Sequence, residues 1–218
     1  MLMVKCVAVG RLFSNSYVIF DSGSKEGIII DAGDEAEKIF SIVKNHGVAV
    51  KGIFLTHGHF DHVLALKDLE EKLGCGFYIH KEDERILSSA PSDAKIFLGI
   101  DVPPPPKPDG WLQDGQTITI GRSAAKVIHT PGHTPGSVCF VFDGFVFTGD
   151  LLFAGSIGRT DMPGGDLNSL LSSIKNKLFK LPDDYLVYPG HGPSTMIGVE
   201  KSMNPFVGKD GVLGFRGF

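Results

Sequence analysis

The sequence predicts an α/β protein in which packed β-sheets are covered on the outside by helices. Three observations carry that expectation. Short apolar runs of strand length alternate with segments of helical period along the chain. The alternation falls into two blocks, each closing with a helix, the pattern expected when two sheets stack and each is covered by its own helices. The 218 residues, 42% hydrophobic and 21% charged, are of ordinary globular composition and long enough to bury roughly 70% of their unfolded surface in one sizeable core.

Taken in order, residues 4–9, 17–20 and 27–30 read as strands, separated by Gly10 and by the turn residues Asp21, Ser22 and Gly23. Ala36, Ile39, Phe40 and Val43 recur at helical spacing, with Asp34 as the expected N-cap, Glu37 three residues on, and Gly47 as the stop. Residues 53–55 form a buried strand, and Val63, Leu66, Leu69 and Leu73 a second helix ending at Gly74. A strand at 77–79 leads into a shorter third helix at 81–89. The stretch 91–115, with Pro103 to Pro106 in a row, reads as an extended surface excursion within one domain. Residues 117–120, 125–129, 138–142 and 145–148 are strands, the last two joined by Asp143-Gly144, a strong hairpin signal. Asp166 caps a helix with the stripe Leu167, Leu170, Leu171, Ile174 and Leu178. A strand at 185–188 and a short helix near 195–203 complete a domain spanning 1–207, followed by a tail, 208–218, that has neither periodicity and reads as mobile or as a surface cover. The kinship of residues 28–33 with 146–150 hints at duplication but is too short to count as a repeat.

A formal charge of −4, with no basic cluster, argues against a nucleic-acid partner. Cys6, Cys75 and Cys139 are odd in number and far apart, as expected for reduced thiols packed as small hydrophobes. Lys5 and Arg11 interrupt any signal-peptide core, and no apolar run reaches membrane-spanning length. A cytoplasmic protein is therefore expected. Oligomeric state leaves no mark in the sequence.

The chemistry lies in histidines and aspartates. Thr56-His57-Gly58-His59-Phe60-Asp61-His62 follows an apolar strand and precedes a helix. Three imidazoles and a carboxylate so close together on a core-adjacent loop suit a divalent ion, because imidazole nitrogen and carboxylate oxygen are ligands for zinc, iron or manganese. His133, Asp150 and His191 each follow an apolar strand beside a glycine. Four loops at strand ends thus carry five histidines and two aspartates that can converge on one rim. The other histidines read differently: His46 suits a helix C-terminus, and His80 and His129 end strands as structural or exposed residues. Asp31, at the end of a strand, is a candidate to orient a ligand histidine from behind.

In that order, the H-x-H-x-D-H run, the later Gly-His, the Gly-Asp and the final Gly-His resemble the metallo-β-lactamase superfamily, in particular its hydroxyacylglutathione hydrolase (glyoxalase II)-like branch in a short, single-domain form. Residues 152–161 and Asn204-Pro205-Phe206 share the resemblance, which spans about 4–207. It implies a four-layer αββα sandwich holding two divalent metal ions, zinc foremost, with iron or manganese as alternatives. His57, His59 and His133 would hold the first ion, Asp61, His62 and His191 the second, and Asp150 would bridge them, making Asp61 and Asp150 the catalytic carboxylates. The implied reaction is hydrolysis of a thioester such as a hydroxyacylglutathione by a metal-bridging hydroxide, with Arg159 as a candidate to meet a substrate carboxylate. No G-x-S-x-G elbow offers a serine nucleophile. Full-length glyoxalase II enzymes carry a C-terminal helical domain that contacts glutathione and a Tyr after the last His, where this sequence reads Gly192-Pro193-Ser194. Two other activities of the superfamily fit the same motifs. One is a mononuclear iron persulfide dioxygenase using His57, His133 and Asp150, and the other a lactone or ester hydrolase.

Overall fold

A computed structural model describes residues 1–213. The chain begins with β1 (Leu2–Val9), β2 (Ser14–Asp21) and β3 (Glu26–Ile30), followed by α1 (Ala36–His46), β4 (Ala49–Phe54), α2 (Leu66–Leu73), β5 (Phe77–His80), α3 (Glu84–Leu98) and β6 (Gly110–Leu112). The second half runs β7 (Thr117–Ile120), β8 (Ser123–His129), β9 (Val138–Phe142), β10 (Phe145–Gly149), β11 (Leu152–Phe153), β12 (Ser156–Ile157), α4 (Leu167–Asn176), β13 (Leu186–Pro189), β14 (Thr195–Met196) and α5 (Ile197–Met203).

Two six-stranded sheets result, ordered β1-β2-β3-β4-β5-β6 and β14-β13-β10-β9-β8-β7, with β11 and β12 as a separate hairpin. Three apolar clusters separate the layers. Tyr17, Ile19, Ile28 and Ile30 meet Val127, Phe140 and Phe147 between the sheets. Val18, Phe20 and Ile29 pack outward on Ile39, Leu66, Leu69 and Ala94 of α1 to α3. Cys139, Val146 and Val187 pack outward on Leu170 and Ile174 of α4 and Ile197 of α5. Alternate residues of one strand therefore serve opposite clusters, which requires four layers in the order helix, sheet, sheet, helix, the architecture expected from the sequence. β3, β4 and β5 run parallel in the first sheet, and β10 and β13 run parallel in the second. The related stretches 28–33 and 146–150 thus occupy matching places, each on a strand antiparallel to its predecessor and parallel to the next sheet neighbour beyond it.

Local signals worked where they were complete. Gly47 and Gly74 close α1 and α2 in the left-handed conformation, and Asp166 caps α4 by accepting from the Ser169 N–H at 2.7 Å. Phe142 opposite Phe145 confirms the two-residue Asp143-Gly144 turn.

Elsewhere the structure differs. Asp34 is not the N-cap of α1: the chain enters through Glu35 at φ 47°, and the Asp34 carboxylate accepts only the Glu35 N–H. The third helix does not end at Ser89 but runs on to Leu98 with Pro91 inside it, since the buried stripe Leu87, Ala90 and Ala94 outweighs the lost hydrogen bond. The excursion is therefore shorter than expected, and its end adds β6 to the first sheet beside β5. Val63 lies ahead of α2, and His62 sits in the 3-10 turn Phe60–His62. Cys139 is buried, but Cys6 is exposed and so is not packed as expected; none of the three cysteines is paired. Within the tail, Val212 and Leu213 bond back to the carbonyls of Pro205 and Phe206, while residues 214–218 lie outside the described residues. Among the described residues no helix is long and apolar enough to cross a membrane.

Candidate metal centre

The loops after β4, β8, β10 and β13 leave the two sheets at one rim and bring all seven expected side chains together. The ligand atoms of His57, His59 and His133 lie within 4.8 Å of one another, as do those of Asp61, His62 and His191. Asp150 lies between the two groups. Its Oδ1 is 3.5 Å from His62 Nε2, while its Oδ2 is 3.5 Å from His191 Nε2 and 3.7 Å from His133 Nε2.

Hydrogen bonds behind the rings decide what faces the centre. A neutral imidazole has one N–H and one lone pair, so pinning the first aims the second. His62 Nδ1–H donates to Asp31 Oδ2 at 2.9 Å, His133 Nδ1–H to the Arg159 carbonyl at 2.8 Å, and His191 Nδ1–H to the Leu12 carbonyl at 3.1 Å. The Thr56 hydroxyl donates to Asp31 Oδ2, so it accepts from His57 Nδ1–H at 3.0 Å. Four Nε2 lone pairs therefore point inward. His59 Nδ1 joins them 2.9 Å from His133 Nε2. His57 Nε2 and Asp150 Oδ1 are buried with no hydrogen-bond partner. A cluster of acceptors with two of them orphaned is costly unless a cation takes the lone pairs, and the His and Asp donor set fits a divalent metal.

Burial, then the neighbouring imidazoles, holds His57 well below the ordinary histidine range and His59 down at about 4, so both stay neutral. Burial works against a charge on His62 as well, but Asp61, Asp150 and Asp31 outweigh it and lift His62 to about 10. Burial likewise opposes ionisation of Asp61, and His62 and His191 more than offset it. Without a metal, the carboxylates favour a proton on His62, and metal binding would release it.

Asp31 meets His62 as expected and also accepts the Thr56 N–H at 2.7 Å, a bond reached from a left-handed backbone at φ 58°. Arg159 lines the cavity over the ligands, its guanidinium forked onto Asp161 at 2.7 and 2.8 Å and its carbonyl accepting from His133. His80 and His129 stack with centroids 4.1 Å apart and planes 14° from parallel. Together with Glu82 their ligand atoms are close enough for an ion, but in-plane lone pairs on stacked rings run side by side, and His129 Nε2 is already on the Pro135 carbonyl.

Three supports were not foreseen. Buried Asp83 accepts the N–H groups of Gly58 and Gly136 and the hydroxyl of Thr134, tying the His59 loop to the His133 loop. Asn15 donates to the carbonyls of Pro189 and Gly192, and the Tyr17 hydroxyl to that of Pro189, locking the His191 turn onto β2. Thr56 links Asp31 to His57. Only the polar residues inside the otherwise apolar β2 hint at this in the sequence. Gly190 is required sterically, since a Cβ there would lie 2.1 Å from Asp150 Oδ1.

Comparison with known proteins places the chain in a family. The sequence profile of the metallo-beta-lactamase superfamily matches residues 9–191. A Haemophilus influenzae protein named hydroxyacylglutathione hydrolase GloC is 38% identical over 208 residues, 94% of this chain and 97% of that protein. Two solved structures superpose over nearly the whole fold. The BLEG-1 B3 metallo-beta-lactamase is 37% identical with a TM-score of 0.87, covering 94% of this chain and 99% of that one. TTHA1623 in a di-iron-bound form is 40% identical with a TM-score of 0.86, covering 94% of this chain and 100% of that one.

Proposed function

The chain belongs to the metallo-beta-lactamase superfamily, and from that premise we propose that it is a dinuclear metallohydrolase cleaving a thioester of the hydroxyacylglutathione type. The observation that carries the reading is the set of inward-facing lone pairs with His57 Nε2 and Asp150 Oδ1 left unpartnered. In this reading His57, His59 and His133 hold one ion, Asp61, His62 and His191 the other, and Asp150 lies between them. The ions are proposed to be zinc, with iron the alternative suggested by the di-iron neighbour. Bound there, a divalent pair lowers the pKa of water toward about 7 and polarises a carbonyl oxygen.

The chain's own residues do the rest. Asp31, Thr56 and the carbonyls of Leu12 and Arg159 keep His62, His57, His191 and His133 in the tautomer that presents Nε2. Leu12, Phe60, Phe97 and Met162 line a cavity of about 310 Å³ over the centre, which limits water around a bound carbonyl. A thiolate leaving group is a modest base, so no side chain is needed as a strong acid. The substrate is a small molecule and the compartment the cytoplasm, consistent with three unpaired cysteines. The complete Asp61, His62 and His191 set favours two ions over the single iron of a persulfide dioxygenase.

Metal content measured alongside kinetics tests the proposal. Two ions per chain and S-lactoylglutathione hydrolysis, abolished in Asp150→Ala, are expected. One iron with oxygen uptake on glutathione persulfide would overturn it. Faster turnover of a β-lactam than of the thioester would instead favour the chemistry named for the BLEG-1 structure.

A further inference from the structure

Beside the centre lies a second cavity, of about 430 Å³, in the size range of small-molecule sites. It shares His59 and Met162 with the cavity over the metal ligands, so the two adjoin across these side chains. A substrate reacting in the first would place its remaining length in the second. The walls of the second are apolar at Ile86, Pro135 and Met162, and its charged groups are Arg85, Glu82 and Asp93.

Arg85 stands out among them. Its guanidinium has no hydrogen bond or ion pair among the described residues, in contrast to Arg159, whose fork is filled by Asp161. It also occupies the first turn of α3, where a cation runs against the helix dipole. A planar fork left open at that local cost, one cavity away from the reacting centre, matches a carboxylate ligand. Glu82 and Asp93 in the same groove give it a net negative balance, which admits a zwitterion and repels a polyanion such as the phosphates of an acyl-coenzyme A.

We infer that this groove is the subsite for the thiol part of the substrate, an amino-acid terminus whose carboxylate is held by Arg85 and whose ammonium lies between Glu82 and Asp93. The inference rests on the thioesterase reading for the reaction, but recognition of the tail can be measured without turnover.

Titration calorimetry of the metal-loaded protein with S-methylglutathione, an uncleavable thioether, tests it. Arg85→Ala should weaken binding at least about tenfold, as expected for loss of a charge-assisted pair. Arg85→Lys should restore part of the loss, and Lys81→Ala, outside the groove, controls for net charge. No binding to the parent at millimolar ligand, equal binding by parent and Arg85→Ala, or equally tight binding of S-methyl-coenzyme A would each overturn the subsite. Hydrolysis assayed in parallel separates the two readings. Binding that depends on Arg85 without turnover of S-lactoylglutathione supports the subsite and sinks the thioesterase. Turnover whose KM is indifferent to Arg85 sinks the subsite alone.

Discussion

Replacing Asp83 by Ala tests whether one buried carboxylate holds the two ligand loops together. Asp83 is fully buried and accepts from Gly58 N at 2.8 Å, Gly136 N at 2.6 Å and Thr134 Oγ at 2.8 Å. Thr134 has a second partner in the Ser137 hydroxyl at 2.7 Å, so the substitution strands two backbone N–H groups. Each orphaned donor costs about 1–3 kcal/mol, or about 2–6 kcal/mol for the pair. Burial pushes the Asp83 carboxyl above its ordinary range, so losing it offsets part of that cost and the expected loss lies within this range. At about 2–4 °C per kcal/mol for a domain of this size, a loss of about 2–6 kcal/mol lowers Tm by roughly 4–24 °C. Asp83→Asn keeps one acceptor and sets an amide donor against the remaining N–H, so it should cost about half as much. Guanidinium unfolding of the metal-free proteins measures both. A loss below about 0.5 kcal/mol for Asp83→Ala, or equal losses for the two variants, would refute the reasoning.

Gly190→Ala should leave far-UV dichroism intact, because the atom it displaces is the end of the Asp150 side chain, yet lower metal content and cut turnover by at least about a hundredfold; metal analysis and kcat check this. Chelation should lower Tm, and readdition of metal should restore it in a concentration-dependent way, because the ions bind the assembled site and not the unfolded chain. Burial, then Asp109, raises Glu70 from 4.5 to about 7. A carboxyl raised on folding favours the native state below its unfolded pKa, and that contribution is lost as pH rises through the folded value. Stability should therefore decline between about pH 4.5 and 7 by a slope that Glu70→Gln removes, measured as the unfolding midpoint against pH.

What the sequence made legible was local. His57, His59, Asp61 and His62 are neighbours in the chain, and each remaining member of the centre follows an apolar strand beside a glycine, so spacing alone grouped them. Their supports have no such signature. Asn15 and Tyr17 reach partners more than 170 positions away, and Asp83 joins Gly58 and Gly136 from a turn that reads as an ordinary helix start. The Asp161 carboxylate folded against Arg159 likewise leaves no mark that the motif shows. Pro91 misled because its penalty is local, whereas the packing of Leu87, Ala90 and Ala94 that overrides it is tertiary.

The grip of β2 on the last histidine loop has a temporal meaning. Ser14 bridges to His191, and Asn15 and Tyr17 hold the turn before and after it, so residues of β2 clamp a turn made more than 170 positions later. A chain emerging from the ribosome offers His57, His59, Asp61 and His62 well before His133, Asp150 and His191. The complete cage cannot close until the turn at His191 has docked on β2. For the proposed ions, full affinity would then arise only once that docking has completed the ligand set, so the ions around the folded molecule at that moment would decide what it holds.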